Sequence, residues 1–250
     1  MIKEYNFKDY SYYYDLLYSD KDYSKEVKYI LNLLKKNSLI KGDILEFGSG
    51  TGTHANLISK YGYNVHGIEL SKHMVKNSKT NDRFTCQQGD IAYVNMKRTY
   101  DAVLALFHVM SYQISFKQIN LVFKNASKHL NKGGLFIFDF WFAPAVRLQK
   151  PTIRVKRIKN KLIKITRIAE PQIYLKDKKV DVNYTFFIQD LSDKSIKTFD
   201  EKHSLRYFDL YEIKKFSLKH NLEVINFEEF LTKSNLSKKS WSACAILKKI

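Results

Sequence analysis

Alternating glycines and well-spaced acids carry the chemistry open to this chain. Gly48, Gly50 and Gly52 follow Glu46 in the run from Glu46 to His54, Glu69 comes later, and Asp90 later still. Glycines let a backbone approach a ligand closely, and a carboxylate about 20 residues on can hold the hydroxyl pair of a ribose. The combination describes a nucleoside site. A dinucleotide would ask for G-x-G-x-x-G to cradle its pyrophosphate, and Thr53 occupies the third glycine position. Glu46, entering the turn, suits a cation better than a pyrophosphate. Farther along, His108, Tyr112 and Asp139 could remove a proton from an acceptor. Tyrosine is a poor base at neutral pH unless its pKa is lowered, so His108 and Asp139 are the better bases.

Such residues need a parallel sheet to bring them to one edge. Asp43–Phe47 is short and mostly apolar, as a buried parallel strand should be. The glycines follow at once. A helix from about His54 puts Ala55, Leu57, Ile58 and Tyr61 at helical spacing, and Gly62 ends it. Val65–Leu70 is the next strand, with Glu69 near its C-terminal end. Ser71 can cap a short helix that holds Met74 and Val75. Phe84–Gln88 and Tyr100–Phe107 are further strands, the second followed by His108 and Tyr112. Ile119–Leu130 is a helix, Gly133-Gly134 its exit turn, and Leu135–Phe140 a fifth strand carrying Asp139, with Trp141 and Phe142 beyond it. This alternation predicts right-handed crossovers and a parallel sheet.

The pattern then changes. From Thr152 to Tyr207 apolar and polar residues alternate, with turn signals at 176–178 and 190–193, which predicts an antiparallel sheet. Asp209 and Glu212 form a capping-box pair before a helix to His220, and strands follow near Leu222–Phe227 and Trp241–Leu247. Residues 1–40 read as helical and tyrosine-rich, with Val27, Ile30, Leu31 and Leu34 on one face of a helix from Lys25 to Lys36.

Composition bounds the rest. The 250 residues carry a formal charge of +18, a field that attracts polyanions such as nucleic acid or phosphorylated small molecules. The lysines are spread rather than clustered, as on a solvated surface. Cys86 and Cys244 are the only cysteines, too few for a zinc site or a disulfide framework. There is no apolar signal-peptide core and no apolar run approaching membrane-span length, so a cytoplasmic protein is expected.

The E-x-G-x-G-x-G turn resembles motif I of the class I S-adenosylmethionine-dependent methyltransferases. The segments Tyr14-Asp15-Leu16, Lys21-Asp22-Tyr23 and Trp141-Phe142, with the late antiparallel stretch, resemble one subgroup: the nucleotide-linked aminosugar N-methyltransferases of the desosamine and mycaminose type. The resemblance implies an α/β fold, a Rossmann-like, mostly parallel seven-stranded sheet whose last strand is antiparallel, with an antiparallel β insertion. It divides the chain into an N-terminal helical lid (1–40), a cofactor-binding domain (41–150 and 208–250) and a substrate-side insertion (151–207).

Carried onto this sequence, the resemblance implies S-adenosylmethionine as cofactor. Tyr14 and His54 lie near its methionyl end, Leu106 receives its amine through the main chain, Glu69 holds the ribose, Asp90 faces the exocyclic amine and Ile91 the adenine ring. Glu46, Gly48, Gly50, Gly52, Leu70 and Met74 complete that set. The subgroup's active-site histidine falls on Tyr112. Arg147, Arg154 and Lys156 could meet a diphosphate. The expected substrate is a small nucleotide-linked amino- or deoxysugar, N-methylation being favoured over O-methylation. No nucleic-acid partner, metal or membrane span is expected, and a homodimer stays open. Two alternatives remain: an RNA-directed methyltransferase, and a protein that binds the cofactor without catalysis.

Overall fold

Short apolar strands separated by amphipathic helices give this chain its sheet. In the computed structural model, which describes residues 10–250, the strands β1 (Asp43–Phe47), β2 (Asn64–Glu69), β3 (Phe84–Gln88), β4 (Tyr100–Ala105) and β5 (Leu130–Phe142) run parallel in the order β3–β2–β1–β4–β5. Residues 1–9, the start of the expected helical region, lie outside the described residues. Strand β11 (Ser242–Lys249) adds to β5 antiparallel, from Ser242 opposite Trp141 to Lys248 opposite Leu135. Strand β10 (Leu222–Glu229) then adds to β11. The seven-stranded sheet with an antiparallel last strand is thus present.

The helices cover both faces because the strand pleat alternates. Leu45, Phe47, Phe136, Phe138 and Phe140 pack toward α5 (Phe116–Lys128) and α7 (Leu210–Lys219). Ile44, Leu135 and Ile137 pack toward α2 (Tyr23–Lys36) and α3 (Thr53–Ser59). Phe123 meets Phe136 and Phe138 edge to face, and each such buried side chain contributes about 1.5–3 kcal/mol. Capping boxes start α5 at Ser115 with Gln118, and α7 at Asp209 with Glu212. Ser71 caps α4 (Lys72–Asn77).

Several expected boundaries shift. β4 stops at Ala105 rather than Phe107, because Phe107 and His108 both turn into positive φ, 62° and 63°. Gly133-Gly134 is not an exit turn; the chain already runs in β5 from Leu130, with an irregularity opposite Tyr100 and Ala102. A helix, α6 (Ala143–Gln149), follows β5 where none was expected, with Pro144 in its first turn.

The insertion is a four-stranded antiparallel sheet: β6 (Arg154–Lys159), β7 (Ile163–Tyr174), β8 (Lys179–Asp190) and β9 (Ile196–Phe208). The end of β9 pairs with the end of β5, Tyr207 opposite Trp141 and Phe208 opposite Phe142. That junction lies at the C-terminal edge of the parallel strands. The N-terminal segment, a 3-10 turn at Tyr10–Tyr12 and α1 (Tyr14–Leu17), packs on the insertion through Tyr10, Leu17, Ile165, Phe186 and Ile188.

Candidate functional site

The glycine loop joins β1 to α3 across the end of β2. The Gly48 and Ser49 amides both donate to the Ile68 carbonyl, at 2.7 and 3.2 Å. Gly48 has φ +66°, and a Cβ there would lie 2.5 Å from Val109 Cγ2, so both conformation and space demand glycine. Glu69 is buried at the loop. Its Oε2 accepts from the Gly50 amide at 2.9 Å and its Oε1 from the Ser71 amide at 2.8 Å. Burial pushes the Glu69 carboxyl above its ordinary pKa, against the pull of those amides.

A cavity of about 630 Å³ opens here. One half is walled by Tyr14, Gly48, Gly50, Glu69, Leu70, Met74, Asp90, Ile91 and Leu106, nine of the residues expected to touch the cofactor. Among the described residues this half carries acids and no Lys or Arg, so its donor set fits a cationic nucleoside and not a pyrophosphate. Asp90 also accepts from the Ala92 amide at 2.8 Å, fixing the turn after β3.

Three expected cofactor residues lie elsewhere. Gly52 turns its missing side chain toward Phe84 and serves the bend into α3. His54 is buried with Nε2 2.7 Å from Glu26 Oε2 and its ring against Tyr23, and Lys21 closes on the same carboxylate. Glu46 is 2% exposed beneath the loop. Burial, followed by repulsion from Glu69, raises its carboxyl to a pKa of about 8, while the Ala55 amide at the start of α3 draws it down.

The Glu46 shift has a measurable consequence. Between the ordinary carboxylate pKa and about 8 the folded chain holds a proton that the unfolded chain has lost, so this group's contribution is present at low pH and disappears as pH rises toward 8. Glu46→Gln is expected to stabilise the protein by on the order of 2 kcal/mol at pH 8 and to leave stability near pH 4 unchanged. Urea unfolding at the two pH values checks this; an equal effect at both would show that Glu46 is not held neutral.

The other half of the cavity is formed by Tyr10, Tyr18, Phe107, His108, Tyr112, Trp141, Tyr184, Lys202 and His203. Asp139 does not reach it. It is 1% exposed behind His108, and both of its oxygens accept from the His108 amide, at 3.0 and 3.1 Å. Its Oδ2 also lies 2.7 Å from His108 Nδ1. Burial would push Asp139 up, but His108 and then Lys21 outweigh it and hold the carboxyl below its usual value. Asp139 thus pins two consecutive non-glycine residues in the left-handed region and presents the His108 ring, edge-on to Trp141, to the cavity.

Tyr112 is half-buried, and desolvation of its hydroxyl drives it well above its ordinary pKa. Its oxygen lies 2.9 Å from His203 Nδ1, and His203 Nε2 lies 3.0 Å from Glu201 Oε2. His203, Glu201, Tyr18 and Tyr184 were not singled out by the sequence as site residues. The available signal was the alternation along β9, which puts Glu201, His203 and Leu205 on one face. Phe142 is buried in the core, Arg147 pairs with Asp209, and Lys156 with Asp20, so neither basic side chain, nor Arg154, lines the cavity.

Residues 44–134 match a family described as a methyltransferase domain. The chain is 27% identical over 139 residues to the dTDP-3-amino-3,4,6-trideoxy-alpha-D-glucopyranose N,N-dimethyltransferase of Streptomyces venezuelae, a match covering 54% of this chain and 59% of that enzyme. The match therefore spans a little over half the length of that relative. Two solved structures share the fold over nearly the whole chain. DesVI of Streptomyces venezuelae has a TM-score of 0.82 at 20% identity, covering 97% of this chain and 99% of that one. CalS10 of Micromonospora echinaspora, described as an amino pentose methyltransferase with S-adenosylmethionine bound, has a TM-score of 0.77 at 16% identity, with both chains fully covered. Residues 44–134 thus match a methyltransferase domain, and the chain as a whole shares the α/β fold of these two solved methyltransferases.

Proposed function

We propose that this protein transfers a methyl group from S-adenosylmethionine to the amine of a small nucleotide-linked sugar in the cytoplasm. The observation that carries the reading is the continuity of the cavity: the Glu69–Asp90 half and the His108–Tyr112–Trp141 half are one space. When bound, the cofactor supplies a methyl group on a sulfonium, ready for in-line displacement. The chain's task is to align the acceptor about 3 Å from that methyl and to remove its proton. Trp141 and Tyr184 offer apolar walls for a sugar ring, and His108 offers its ring edge to the acceptor. Lys202, at the insertion end, is the basic side chain among the described lining residues and suits a diphosphate. The lid expected over residues 1–40 meets the glycine loop in its described part, with Thr51 Oγ1 donating to Asp15 Oδ1 at 2.7 Å.

The test offers the protein matched amino- and hydroxyl-sugar nucleotides and bulk tRNA, and locates the new methyl by NMR. An N-methyl sugar is expected. A compact diphosphate presents about two to three charges, so activity is expected to fall about tenfold or less between 50 and 200 mM salt, against about 10³-fold or more for a contact of many phosphates. Methylation of tRNA with every sugar nucleotide untouched would sink the reading, and an O-methyl product would correct its acceptor.

A further inference from the structure

The half of the cavity away from Glu69 brings together two histidines, each backed by an acid. His108 rests on Asp139, from the main sheet. His203 rests on Glu201, from the insertion, and reaches the cavity wall beside Tyr112. Position 112 holds a tyrosine whose hydroxyl cannot ionise near neutral pH in this desolvated setting. It can still pass a proton on if a base receives its own, and His203 Nδ1 is in place to do so at 2.9 Å.

We propose that the acceptor amine loses its proton along Tyr112, His203 and Glu201, with Tyr112 as the group that touches the acceptor. This deepens the N-methylation reading and rests on it. An aminosugar arrives as an ammonium ion. Its N–H bond breaks and that proton goes to the Tyr112 oxygen, while the proton already on Tyr112 moves to His203 Nδ1. The lone pair freed on nitrogen is the nucleophile. His203 becomes an imidazolium whose Nε2–H donates to the Glu201 carboxylate, so the new charge is paired. Nothing is oxidised or reduced, and the proton returns to water by the reverse path when product leaves. Tyr112 is the catalytic residue; His203 and Glu201 act through it.

Several groups face His203. Glu201 lies on its own strand, Tyr112 on the turn after β4, Tyr184 on β8 and Tyr10 on the N-terminal segment, the last two edge-on at 5.0 and 5.5 Å between ring centroids. Arg167 stacks on Tyr184 and bonds the Tyr10 hydroxyl. Glu201 Oε2 contacts the ring directly at Nε2.

The experiment measures kcat and KM against pH for an aminosugar nucleotide with wild type, His203→Gln, Glu201→Gln and Tyr112→Phe, alongside thermal unfolding and calorimetry of S-adenosylhomocysteine. His203→Gln keeps a hydrogen-bond partner for Tyr112 but cannot hold the proton. It is expected to lower kcat about 100-fold, with KM and cofactor affinity within threefold. Glu201→Gln removes the charge that pairs the imidazolium formed during transfer, so the acid limb of the pH profile should move to lower pH. A purely structural role would lower the rate and leave the limb in place. If His203→Gln does not unfold cooperatively, Tyr112→Phe breaks the same link without altering the insertion, and the same loss in kcat is expected. A kcat within threefold of wild type for the folded relay variant, or a Glu201→Gln limb that does not move, overturns the route. Wild type that binds S-adenosylhomocysteine yet methylates no aminosugar nucleotide overturns the parent reading instead, and the route with it.

Discussion

Glu69→Ala is expected to weaken S-adenosylhomocysteine binding about 100-fold or more. The carboxylate does two jobs from a buried position. It accepts the Gly50 and Ser71 amides, tying the glycine loop to the end of β2, and its remaining lone pairs face the cavity where a ribose would lie. Removal leaves the two ribose hydroxyls of the complex without their acceptor, at about 1–3 kcal/mol each, and loosens the glycine loop that shapes the site. Each 1.4 kcal/mol is tenfold in affinity, so two such losses reach about 100-fold. Glu69→Gln should recover little, because one side of its amide must present N–H groups to either the Gly50 or the Ser71 amide. Calorimetry on both variants measures this. A dissociation constant within threefold of wild type for Glu69→Ala would refute the placement of the ribose at Glu69.

The second large effect is expected from Asp139→Ala, a loss of roughly 10³-fold in kcat with cofactor affinity changed only a few-fold. Asp139 touches neither half of the cavity. Its oxygens hold the His108 amide and face the His108 ring, and without them nothing compensates the left-handed backbone at Phe107 and His108. Strain of this kind costs about 1–3 kcal/mol per residue and persists only where the surroundings enforce it. Once released, the turn should carry His108 and the Tyr112 segment away from the acceptor. The loss should then fall within the ~10²–10⁴-fold range of general acid–base groups, although Asp139 itself exchanges no proton with substrate. Asp139→Asn keeps an acceptor for the amide and should lose less. If single-turnover rates show Asp139→Ala within tenfold of wild type, His108 is not held in place by this carboxylate.

What the sequence by itself determined is local. Gly48 and Gly50 between an apolar strand and a helix, with Glu69 at the end of the next strand, predict a nucleoside site, because close backbone approach and a carboxylate at that spacing have few other uses together. The alternation of apolar strands with amphipathic helices specified the parallel sheet, and the switch to period-two alternation after Thr152 specified the antiparallel insertion. The antiparallel last strand followed from family resemblance, since apolar pattern carries no strand direction.

The tertiary structure decided which side of each element meets the ligand. Glu46 and Glu69 both end strands beside the same loop, yet Glu46 lies beneath α3 and Glu69 lies in the cavity. The pleat assigns a face to each residue, but what covers that face depends on helices placed by the whole sheet. Asp139 was legible as an acid at the ligand edge, but its place behind His108 follows from the left-handed turn that ends β4. The longest-range decision concerns His203. Its strand pairs with β8, His203 opposite Val182, and joins β5 at Tyr207 opposite Trp141. Those two registers bring it to Tyr112, 91 residues away, and no local pattern encodes a contact at that separation.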